Sequence, residues 1–469
     1  MLTLGLVAAV LQAPISTGAA LERVIDSVST DTRTLAAGAL FVALRGERFD
    51  GHAHLQAAFE AGACAALIEA ASTCAPVTGS LPLIRVSDTR AALGSLAAFW
   101  RASFDLPVIV VAGSNGKTTT KDMVASILRA SFGDDSVLAT AGNLNNDIGL
   151  PLSIFGLRSH HRAAVLEIGM NHPGETARLA GIARPGIALI TNAQREHQEF
   201  MQDVDAVAAE HAALIDALAA SGAAVINADD PYASLWMRHA AGRKVLRFGF
   251  ADDADVRATW QLRPASSDIA IMMPGAQGVS ANLAIPGLHN VRNALAATAA
   301  AVLAGCAPEA IARGLERFRP ARGRLQVHAG EGDTCLLDDT YNANPDSVRA
   351  AIDVLAAGGG SSMLVLGDMG EVGDQAVAFH REVGDYARTR GIARLFTIGA
   401  ATAQSSAAFG AGATHFDDMA ALTAAVRGQL VPGMTVLVKG SRFMRMERVI
   451  EALAKHAAPA GHCSTEFAE

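Results

Sequence analysis

Short aliphatic runs alternate with amphipathic stretches along most of the chain, and this alternation predicts parallel strands connected by helices. In the middle of the chain we predict strands at residues 108–112, 163–168, 187–191 and 223–227. The alternation then resumes, with strands predicted at residues 335–338, 362–366, 394–398 and 435–438. Residues 245–284 contain Gly and Pro but no long helical periodicity, so we predict short strands and turns there.

Two breaks in this pattern indicate domain boundaries. The Ala-rich amphipathic run of residues 89–104 is followed by Asp105 and Pro107, and residues 318–324 contain a proline, a glycine and three arginines. We therefore predict an α/β protein with three domains, at residues 1–104, 105–320 and 321–469. The first is a small α/β domain, the second has a central parallel sheet, and the third is a doubly wound, Rossmann-like domain.

Composition narrows the classes of function. Of the 469 residues, 51% are hydrophobic and 18% are charged, so the chain has enough apolar surface to fold and is not disordered. Its 38 basic and 46 acidic residues give a net charge of −8. Such a chain lacks the broad basic surface of a general nucleic-acid binder, so we expect no nucleic-acid partner.

The cysteines and the N-terminal segment indicate the compartment. The five cysteines are far apart and form no Cys-x-x-Cys pair, so we expect no disulfide framework, a reducing compartment and a cytoplasmic protein. Residues 1–15 are apolar, but no basic residue precedes them and the run is too short to cross a bilayer. We expect a packed helix there and no insertion into a membrane.

A glycine-rich loop lies between the first central strand and a helix predicted at residues 121–130. It reads Gly113-Ser114-Asn115-Gly116-Lys117-Thr118-Thr119-Thr120. Glycines let backbone N–H groups approach phosphate oxygens, and the helix adds the positive end of its dipole. Lys117 supplies a charge for the β- and γ-phosphates, and the Thr118 hydroxyl can ligate Mg²⁺. The usual loop has a further glycine where this chain has Val111. We therefore predict a shortened phosphate loop in a P-loop ATPase-like central domain.

Two later strand ends offer candidate metal ligands beside this loop. Glu167 lies at the carboxyl end of the strand predicted at residues 163–168, where ligands of open α/β sheets bind. His197 lies four residues beyond Thr191-Asn192-Ala193, which ends the next strand. A bound triphosphate needs metal ligands next to its phosphates. We therefore predict that Thr118, Glu167 and His197 hold Mg²⁺.

Together these segments resemble the Mur ligases, the ATP-dependent amide ligases of peptidoglycan precursor synthesis. The resemblance rests on Gly113–Thr118, Glu167, Thr191-Asn192-Ala193 with His197, Gly287-Leu288-His289-Asn290 with Asn293-Ala294, and Asp339-Thr340-Tyr341-Asn342. The segments occur in the family's order and cover nearly the whole chain. Such a joint match is far more specific than any one motif.

Within the family, further stretches are similar to the members that add the dipeptide D-alanyl-D-alanine. In the N-terminal domain the stretch Ser29-Thr30-Asp31-Thr32-Arg33 and residues 38–46 resemble a uridine-nucleotide domain. In the last domain the matching stretches are residues 341–345, residues 366–371 and Lys439-Gly440-Ser441-Arg442. The Asp-Asn-Pro-Arg stretch of the diaminopimelate-adding ligase does not occur in this sequence.

The resemblance implies a role for each matching residue. The implied catalytic residues are Lys117, Glu167, His197 and Glu210. The implied ATP contacts are Gly113, Ser114, Asn115, Gly116, Lys117, Thr118, Thr119, Asn290, Asn293, Arg324 and either Asp339 or Asp338. The other substrates would contact Ser29, Asp31, Arg33, Asn143, Asn146, Tyr341 and Asn344. An asparagine taken alone is as often a turn or cap residue.

One departure from the family concerns a lysine. The family usually has a carbamylated lysine in the helix after the histidine, and it helps to bind a second Mg²⁺. This chain has no lysine between Lys121 and Lys244. We predict that Glu210, or less favourably His211, takes that role, because a carboxylate already present needs no bound CO₂.

The implied activity is the ATP- and Mg²⁺-dependent ligation of D-alanyl-D-alanine to UDP-N-acetylmuramoyl-tripeptide by a monomeric enzyme. Three alternatives remain open: another amide ligase of the diaminopimelate-adding or folylpolyglutamate type, a P-loop NTPase of a transport or switch system, and a non-catalytic nucleotide-binding module. The shortened loop and the separate N-terminal domain count against the second. The sequence leaves open whether the third residue of the tripeptide is diaminopimelate or lysine.

Overall fold

A computed structural model describes residues 2–16, 18–72, 81–196, 198–275 and 278–455. The strands of the N-terminal domain are β1 (Leu2–Thr3), β2 (Val24–Ile25), β3 (Ser27–Ser29), β4 (Ala39–Val42), β5 (Ala65–Glu69) and β6 (Leu83–Val86). Its helices are α1 (Leu4–Leu11), α2 (Leu55–Glu60) and α3 (Thr89–Ala102). Strands β1 and β2 form an antiparallel ribbon, and β3-β4-β5-β6 form a parallel sheet in that order.

The central domain is built on a six-stranded parallel sheet of β7 (Val108–Ala112), β8 (Val137–Ala139), β9 (Ala163–Glu167), β10 (Ile187–Ile190), β11 (Ala223–Asn227) and β12 (Lys244–Phe248). Its order is β12-β11-β10-β7-β9-β8, so β7 lies between β9 and β10. A small antiparallel sheet follows, formed by β13 (Arg257–Leu262), β14 (Ser267–Met272) and β15 (Val279–Leu283). The helices are α4 (Lys117–Phe132), α5 (Gly149–Ile154), α6 (Glu175–Ala183), α7 (Val204–Asp216), α8 (Ala233–His239), α9 (Leu288–Leu303) and α10 (Pro308–Arg317).

The C-terminal domain contains a second six-stranded sheet of β16 (Gln326–Gly330), β17 (Thr334–Asp339), β18 (Ser362–Gly367), β19 (Arg394–Ile398), β20 (Ala413–Phe416) and β21 (Thr435–Lys439). Its order is β16-β17-β21-β18-β19-β20, and only the edge strand β16 is antiparallel to its neighbour. The helices are α11 (Pro345–Ala357), α12 (Ala376–Thr389), α13 (Ala403–Phe409), α14 (Met419–Gly428) and α15 (Glu447–Leu453).

The structure confirms the predicted α/β class, and each of the eight predicted strands is present with ends that differ by at most one residue. The segment at residues 245–284 forms short strands, as the sequence predicts. One helix starts earlier than predicted. It begins at Lys117 rather than at residue 121, because Gly116 adopts φ 81° and turns the chain directly into the helix.

The apolar N-terminal run forms α1, with Leu4 and Val7 fully buried, so the predicted packed helix is confirmed. Nowhere in the described part of the chain is a helix both long and apolar enough to cross a membrane. Cys64, Cys306 and Cys335 are buried and none of the three is in a disulfide, whereas the other two cysteines lie outside the described residues.

Strand β7 connects the domains because its side chains alternate between two cores. Ile109 and Val111 pack into the core beneath α4 and α9, which continues into the sheet of the C-terminal domain. Val108 and Val110 pack on the opposite face, into the core shared with the N-terminal domain. The carboxyl end of β7, where the glycine-rich loop begins, is therefore fixed from both sides.

Helix α10 packs against α4 through a glycine. A Cβ atom at Gly314 would lie 2.4 Å from Ile127 Cα. We predict that Gly314→Ala lowers the free energy of unfolding by about 1–3 kcal/mol through overpacking, as measured by chemical denaturation. Gly181→Ala in α6 is the matched control, because a Cβ there meets no atom within 4 Å, and it should be neutral or slightly stabilising. Equal stability of the two variants would contradict this packing.

Candidate active site

A cleft of about 660 Å³ opens between the central and C-terminal domains at the carboxyl ends of β7, β9 and β10. Parallel strands bring the residues that follow them to one edge of the sheet, where ligands of open α/β folds bind. The lining comes from the glycine-rich loop, the start of α9 and the segments after β9, β10 and β17. Of the described residues of the N-terminal domain, Arg90 alone lines the cleft.

Two glycines bring the loop into close contact with its neighbours. Gly113 has φ 126°, and a Cβ atom there would lie 2.1 Å from Thr191 Oγ1. A Cβ atom at Gly116 would lie 2.4 Å from Asn293 Oδ1. Any side chain at these positions would both strain the backbone and push the loop away from β10 and α9.

The end of β10 holds the loop through hydrogen bonds. The Asn115 N–H donates to Asn192 Oδ1 at 2.9 Å, and Asn192 Nδ2 donates back to the Asn115 carbonyl at 3.0 Å. The Thr191 hydroxyl donates to the same carbonyl at 2.8 Å. The loop is therefore fixed before any ligand arrives.

The first turn of α4 points its backbone N–H groups at the cleft. Gly116 is the N-cap residue, and no side chain of the described residues caps this end of the helix. The first intrahelical bond in this turn is donated by the Thr120 N–H to the Gly116 carbonyl, so the N–H groups of residues 117–119 remain available to an anion. This end of α4 can hold phosphate oxygens.

Lys117 lies beside that anion site and already has partners. Its Nζ atom is 3.1 Å from the Ser114 carbonyl and 3.2 Å from Glu196 Oε2. Its side chain is 16% exposed, on the cleft surface. The ammonium group is therefore held over the loop, where it can reach a bound phosphate.

Glu167 fits a divalent cation. Its carboxylate is 2% exposed, and Oε1 accepts from Asn145 Nδ2 at 2.8 Å. Oε2 is buried with no hydrogen-bond partner in the described part of the chain, and such an oxygen costs free energy unless an ion or water contacts it. Thr118 lines the same cleft. These residues suit Mg²⁺, which usually takes one or two protein oxygens together with phosphate and water.

The described residues contain no cluster of three His, Cys, Asp or Glu side chains that could hold a metal by themselves. The third predicted ligand, His197, lies outside the described residues. A site with few protein ligands is the arrangement expected for Mg²⁺ bound together with a nucleotide.

The start of α9 supplies buried polar groups to the same cleft. Asn293 Nδ2 donates to Asn290 Oδ1 at 3.1 Å, and both asparagines are buried. Burial lowers the pKa of the adjacent His289 to about 4. The imidazole is therefore neutral near pH 7, and its Nε2 atom can accept from Asn290 Nδ2 at 3.1 Å.

Side chains from several segments of the C-terminal domain also line the cleft. The Arg324 guanidinium lies 4.2 Å from the centre of the Tyr341 ring, and Asp339 accepts from Lys439 Nζ at 2.5 Å. Asp338 points away from the cleft and is bonded to Thr340. Of the two aspartates that the sequence left open, Asp339 is therefore the one at the cleft.

Three predicted asparagines also line the cleft. Asn344 Nδ2 donates to Asn115 Oδ1 at 2.9 Å, which connects the C-terminal domain directly to the phosphate loop. The same side chain caps α11. Asn146 accepts from the Gly149 N–H at 2.8 Å in the turn that also carries Asn143. The cap and turn roles that asparagine often has are thus present in residues that also face the cleft.

Three stretches of the chain match domains of one family. Residues 24–101 match the Mur ligase family catalytic domain, residues 111–301 the Mur ligase middle domain, and residues 323–442 the Mur ligase glutamate ligase domain. The chain is also 38% identical over 436 residues to UDP-N-acetylmuramoyl-tripeptide–D-alanyl-D-alanine ligase of Escherichia coli strain K12, covering 92% of this chain and 94% of that one. The chain belongs to the Mur ligase family.

Other Mur ligases resemble this one over most of their length. The Bacillus subtilis strain 168 enzyme with the same name is 35% identical and covers 92% of this chain, which in turn covers 94% of it. A crystal structure of MurF from Acinetobacter baumannii has a TM-score of 0.88 at 32% identity, with 96% and 98% of the two chains covered. MurF from Thermotoga maritima in complex with ADP has a TM-score of 0.80 at 26% identity, covering 91% of this chain and 97% of that one.

Not every predicted site residue of this Mur ligase lies at the cleft. Ser29, Asp31 and Arg33 lie in the N-terminal domain, at and just beyond the end of β3, and none of them lines the cleft. Arg33 is paired with Asp31, and its hydrogen bonds lower the pKa of Asp31 to about 2. Their contact with a uridine nucleotide stays a prediction about a separate surface.

The structure does not place Glu210 as predicted. Its Oε2 atom accepts from the Gly174 N–H at 2.9 Å, and its Oε1 atom accepts from the Thr176 N–H at 2.7 Å. The carboxylate therefore caps the start of α6 and does not line the cleft. The neighbouring His211, one position further along α7, lies instead 3.3 Å from Glu196.

Arg195, which the sequence analysis missed, fastens the C-terminal domain to the central one. Its guanidinium lies 2.6 Å from Asp346 and 2.7 Å from Glu382, and it stacks on Phe379 at 5.1 Å. Hydrogen bonding to Arg195 lowers the pKa of the Glu382 carboxyl. The sequence does show two adjacent charged residues, Arg195 and Glu196, in the loop after β10. It does not show which way each side chain points, so the docking role of Arg195 could not be predicted.

We predict that Arg195→Ala weakens docking of the C-terminal domain. Loss of two charge-assisted contacts should cost about 2 kcal/mol of docking free energy. The ligand-free variant should then show a larger radius of gyration in small-angle scattering. Arg349→Ala is the matched control, because Arg349 bonds the same Glu382 from within the C-terminal domain. Unchanged scattering from Arg195→Ala, or an equal expansion of both variants, would contradict the role of Arg195.

Proposed function

We propose that this Mur ligase joins the terminal carboxylate of UDP-N-acetylmuramoyl-tripeptide to the amino group of D-alanyl-D-alanine and converts ATP to ADP and phosphate. The observation that carries the proposal is the cleft, where the N-terminal end of α4, Lys117 and the buried Glu167 lie beneath a docked C-terminal domain. Relatives named for this reaction cover more than nine-tenths of the chain.

We assign one substrate to each domain. Residues 1–104 hold the uridine nucleotide, residues 105–320 hold ATP, and residues 321–469 hold the incoming dipeptide. Arg90 supports this division, because it extends from α3 of the N-terminal domain to the cleft. A peptide anchored on that domain can therefore reach the phosphate loop.

The central domain stabilises the charge that develops during phosphoryl transfer. Lys117 and the N–H groups at the start of α4 contact the phosphates. Mg²⁺ supplies additional positive charge when bound, and Thr118 and Glu167 would hold it, with His197 as a further proposed ligand. The other proposed ATP contacts are Gly113, Ser114, Asn115, Gly116, Thr119, Asn290, Asn293, Arg324 and Asp339.

The reaction proceeds in two transfers. The tripeptide carboxylate attacks the γ-phosphorus and ADP leaves, which gives an acyl phosphate. The free amine of the dipeptide then attacks the acyl carbon, loses a proton and displaces phosphate. Water would destroy the acyl phosphate, so the contacts of Arg195 and Asn344 that hold the C-terminal domain over the cleft protect it. The proposed contacts to the peptide and the dipeptide are Asn143, Asn146, Tyr341 and Asn344.

We further propose that the enzyme acts in the cytoplasm as a monomer. The described cysteines are buried and form no disulfide, which suits a reducing compartment.

The reaction assignment is tested by phosphate release with ATP, Mg²⁺, uridine-linked tripeptide and a panel of amines. We expect D-alanyl-D-alanine to stimulate release far more than diaminopimelate, lysine or glutamate does. Comparing tripeptides that end in diaminopimelate or lysine identifies the third residue. Stimulation by a single amino acid, or release that needs no co-substrate, would instead favour a different ligase or an NTPase.

We predict that Lys117→Ala lowers kcat/KM for ATP at least about a hundredfold, because about 3 kcal/mol of transition-state stabilisation is lost. Lys244→Ala is the control, since Lys244 is exposed on β12 and its loss should leave turnover unchanged. The same phosphate-release assay measures both variants. Near-normal turnover of Lys117→Ala would remove the phosphate-loop assignment.

A further inference from the structure

A buried carboxylate lies beside the phosphate-loop lysine, and the proposed reaction gives it no role. Glu196 is 6% exposed, and its Oε2 atom lies 3.2 Å from Lys117 Nζ. Its Oε1 atom lies 3.3 Å from Nε2 of His211, which is 2% exposed. A carboxylate this deeply buried is costly unless it is paired, and Lys117 is its charged partner in the phosphate loop.

The backbone around Glu196 is fixed independently of its side chain. The Ala193 N–H donates to Asp230 at 3.0 Å, and the Gln194 N–H donates to the Ser114 hydroxyl at 2.9 Å. The Arg195 N–H donates to Asp346 of the C-terminal domain at 3.0 Å. Three successive N–H groups are thus held by three different segments, and the Glu196 carboxylate has a defined position.

Helix α7 provides the support on the far side of the carboxylate. His211 is on the buried face of α7, and the helix is held in place by the Trp236 indole, which donates to the Ala208 carbonyl at 3.0 Å. Glu210, the residue before His211, faces α6 instead. His211 is therefore the α7 side chain that packs against the Glu196 carboxylate, at 3.3 Å and without a hydrogen bond between the two.

We propose that Glu196, whose carboxylate accepts a hydrogen bond from the Lys117 ammonium group, is the positioning residue for Lys117. This rests on the proposed function, in which Lys117 acts on the transferred phosphoryl group. A lysine side chain has four rotatable bonds and loses much conformational freedom when it is fixed. Glu196 fixes the ammonium group before ATP binds, so less of that entropy is lost in the transition state.

The same contact predicts that loss of Glu196 affects kcat and KM for ATP differently. A carboxylate close to the phosphates repels them, so its removal does not weaken ATP binding in the ground state. Removal leaves the Ser114 carbonyl as a remaining contact of Lys117 Nζ, so the ammonium group is positioned less firmly for the transition state. Glu196→Gln should therefore lower kcat about tenfold or more, while KM for ATP stays unchanged or falls.

Conservative variants separate positioning from general damage to the structure. Glu196→Asp keeps the charge and should recover part of the lost kcat. His211→Leu removes the imidazole beside the carboxylate but keeps the Lys117 contact, so it should lower kcat less than Glu196→Gln does. A Glu196→Gln enzyme with wild-type kcat, or with a raised KM for ATP that accounts for the loss, would overturn the proposal.

A second measurement needs neither ATP nor turnover. The chain has five lysines, at positions 117, 121, 244, 439 and 455, so a protein labelled with ¹³C at lysine Cε gives few NMR signals. The Lys117 signal is identified by its loss in Lys117→Ala. In Glu196→Gln it should narrow and move towards that of exposed Lys244, while the Lys121 signal stays in place. An unchanged Lys117 signal would overturn the proposal.

The matched control is Asp122→Asn on the same helix. Asp122 pairs with Lys121 Nζ at 2.5 Å, so this variant should move the Lys121 signal and leave that of Lys117 alone. If Glu196→Gln fails to fold, the same signal in Glu196→Asp decides the matter, because the shorter side chain draws the carboxylate away from Lys117 and should move the signal part of the way. Failure of the wild-type enzyme to bind ATP would refute the proposed function, whereas the ligand-free NMR result tests the Glu196 contact alone.

Discussion

The site depends on the contact between the glycine-rich loop and the end of β10. Gly113 lies so close to Thr191 that a Cβ atom would come within 2.1 Å of its hydroxyl oxygen, and Asn192 exchanges two hydrogen bonds with Asn115. Because β7 lies between β9 and β10, this contact also sets the loop beside Glu167. Phosphate-binding, metal-binding and domain-docking groups therefore meet at one edge of one sheet.

The polar groups at this edge are arranged before a ligand binds, and the arrangement costs stability. Among the described residues, Glu167 keeps a buried oxygen without a hydrogen-bond partner, and no side chain caps the start of α4. Either feature would lower the stability of a part of the protein that binds no ligand. At this edge, a cation and a phosphate can provide the missing partners, so the free energy of burial is recovered on binding. Before a ligand binds, burial of the hydrophobic cores on both faces of β7 offsets this cost in folding free energy.

Local patterns in the sequence predict strands, the phosphate loop and strand-end residues, because each depends on a few neighbouring positions. Side-chain direction depends on packing and is not predictable in this way. Glu210 and His211 are adjacent, yet a turn of about 100° along α7 sends the first to α6 and the second to Glu196. Strand alternation likewise separates Asp338 from Asp339, but only the position of the neighbouring domain shows which of them faces the cleft.

Arg195 and Glu196 connect domain docking to the phosphate loop through a single peptide bond. Arg195 binds Asp346 through both its side chain and its backbone N–H, while Glu196 contacts Lys117. A movement that takes Asp346 away also removes one of the three backbone anchors of the segment that carries Glu196. The position of the Lys117 ammonium group is thus coupled to the presence of the C-terminal domain, which carries the proposed dipeptide site. Such a coupling positions the Lys117 ammonium group most firmly when the domain that must exclude water is in place.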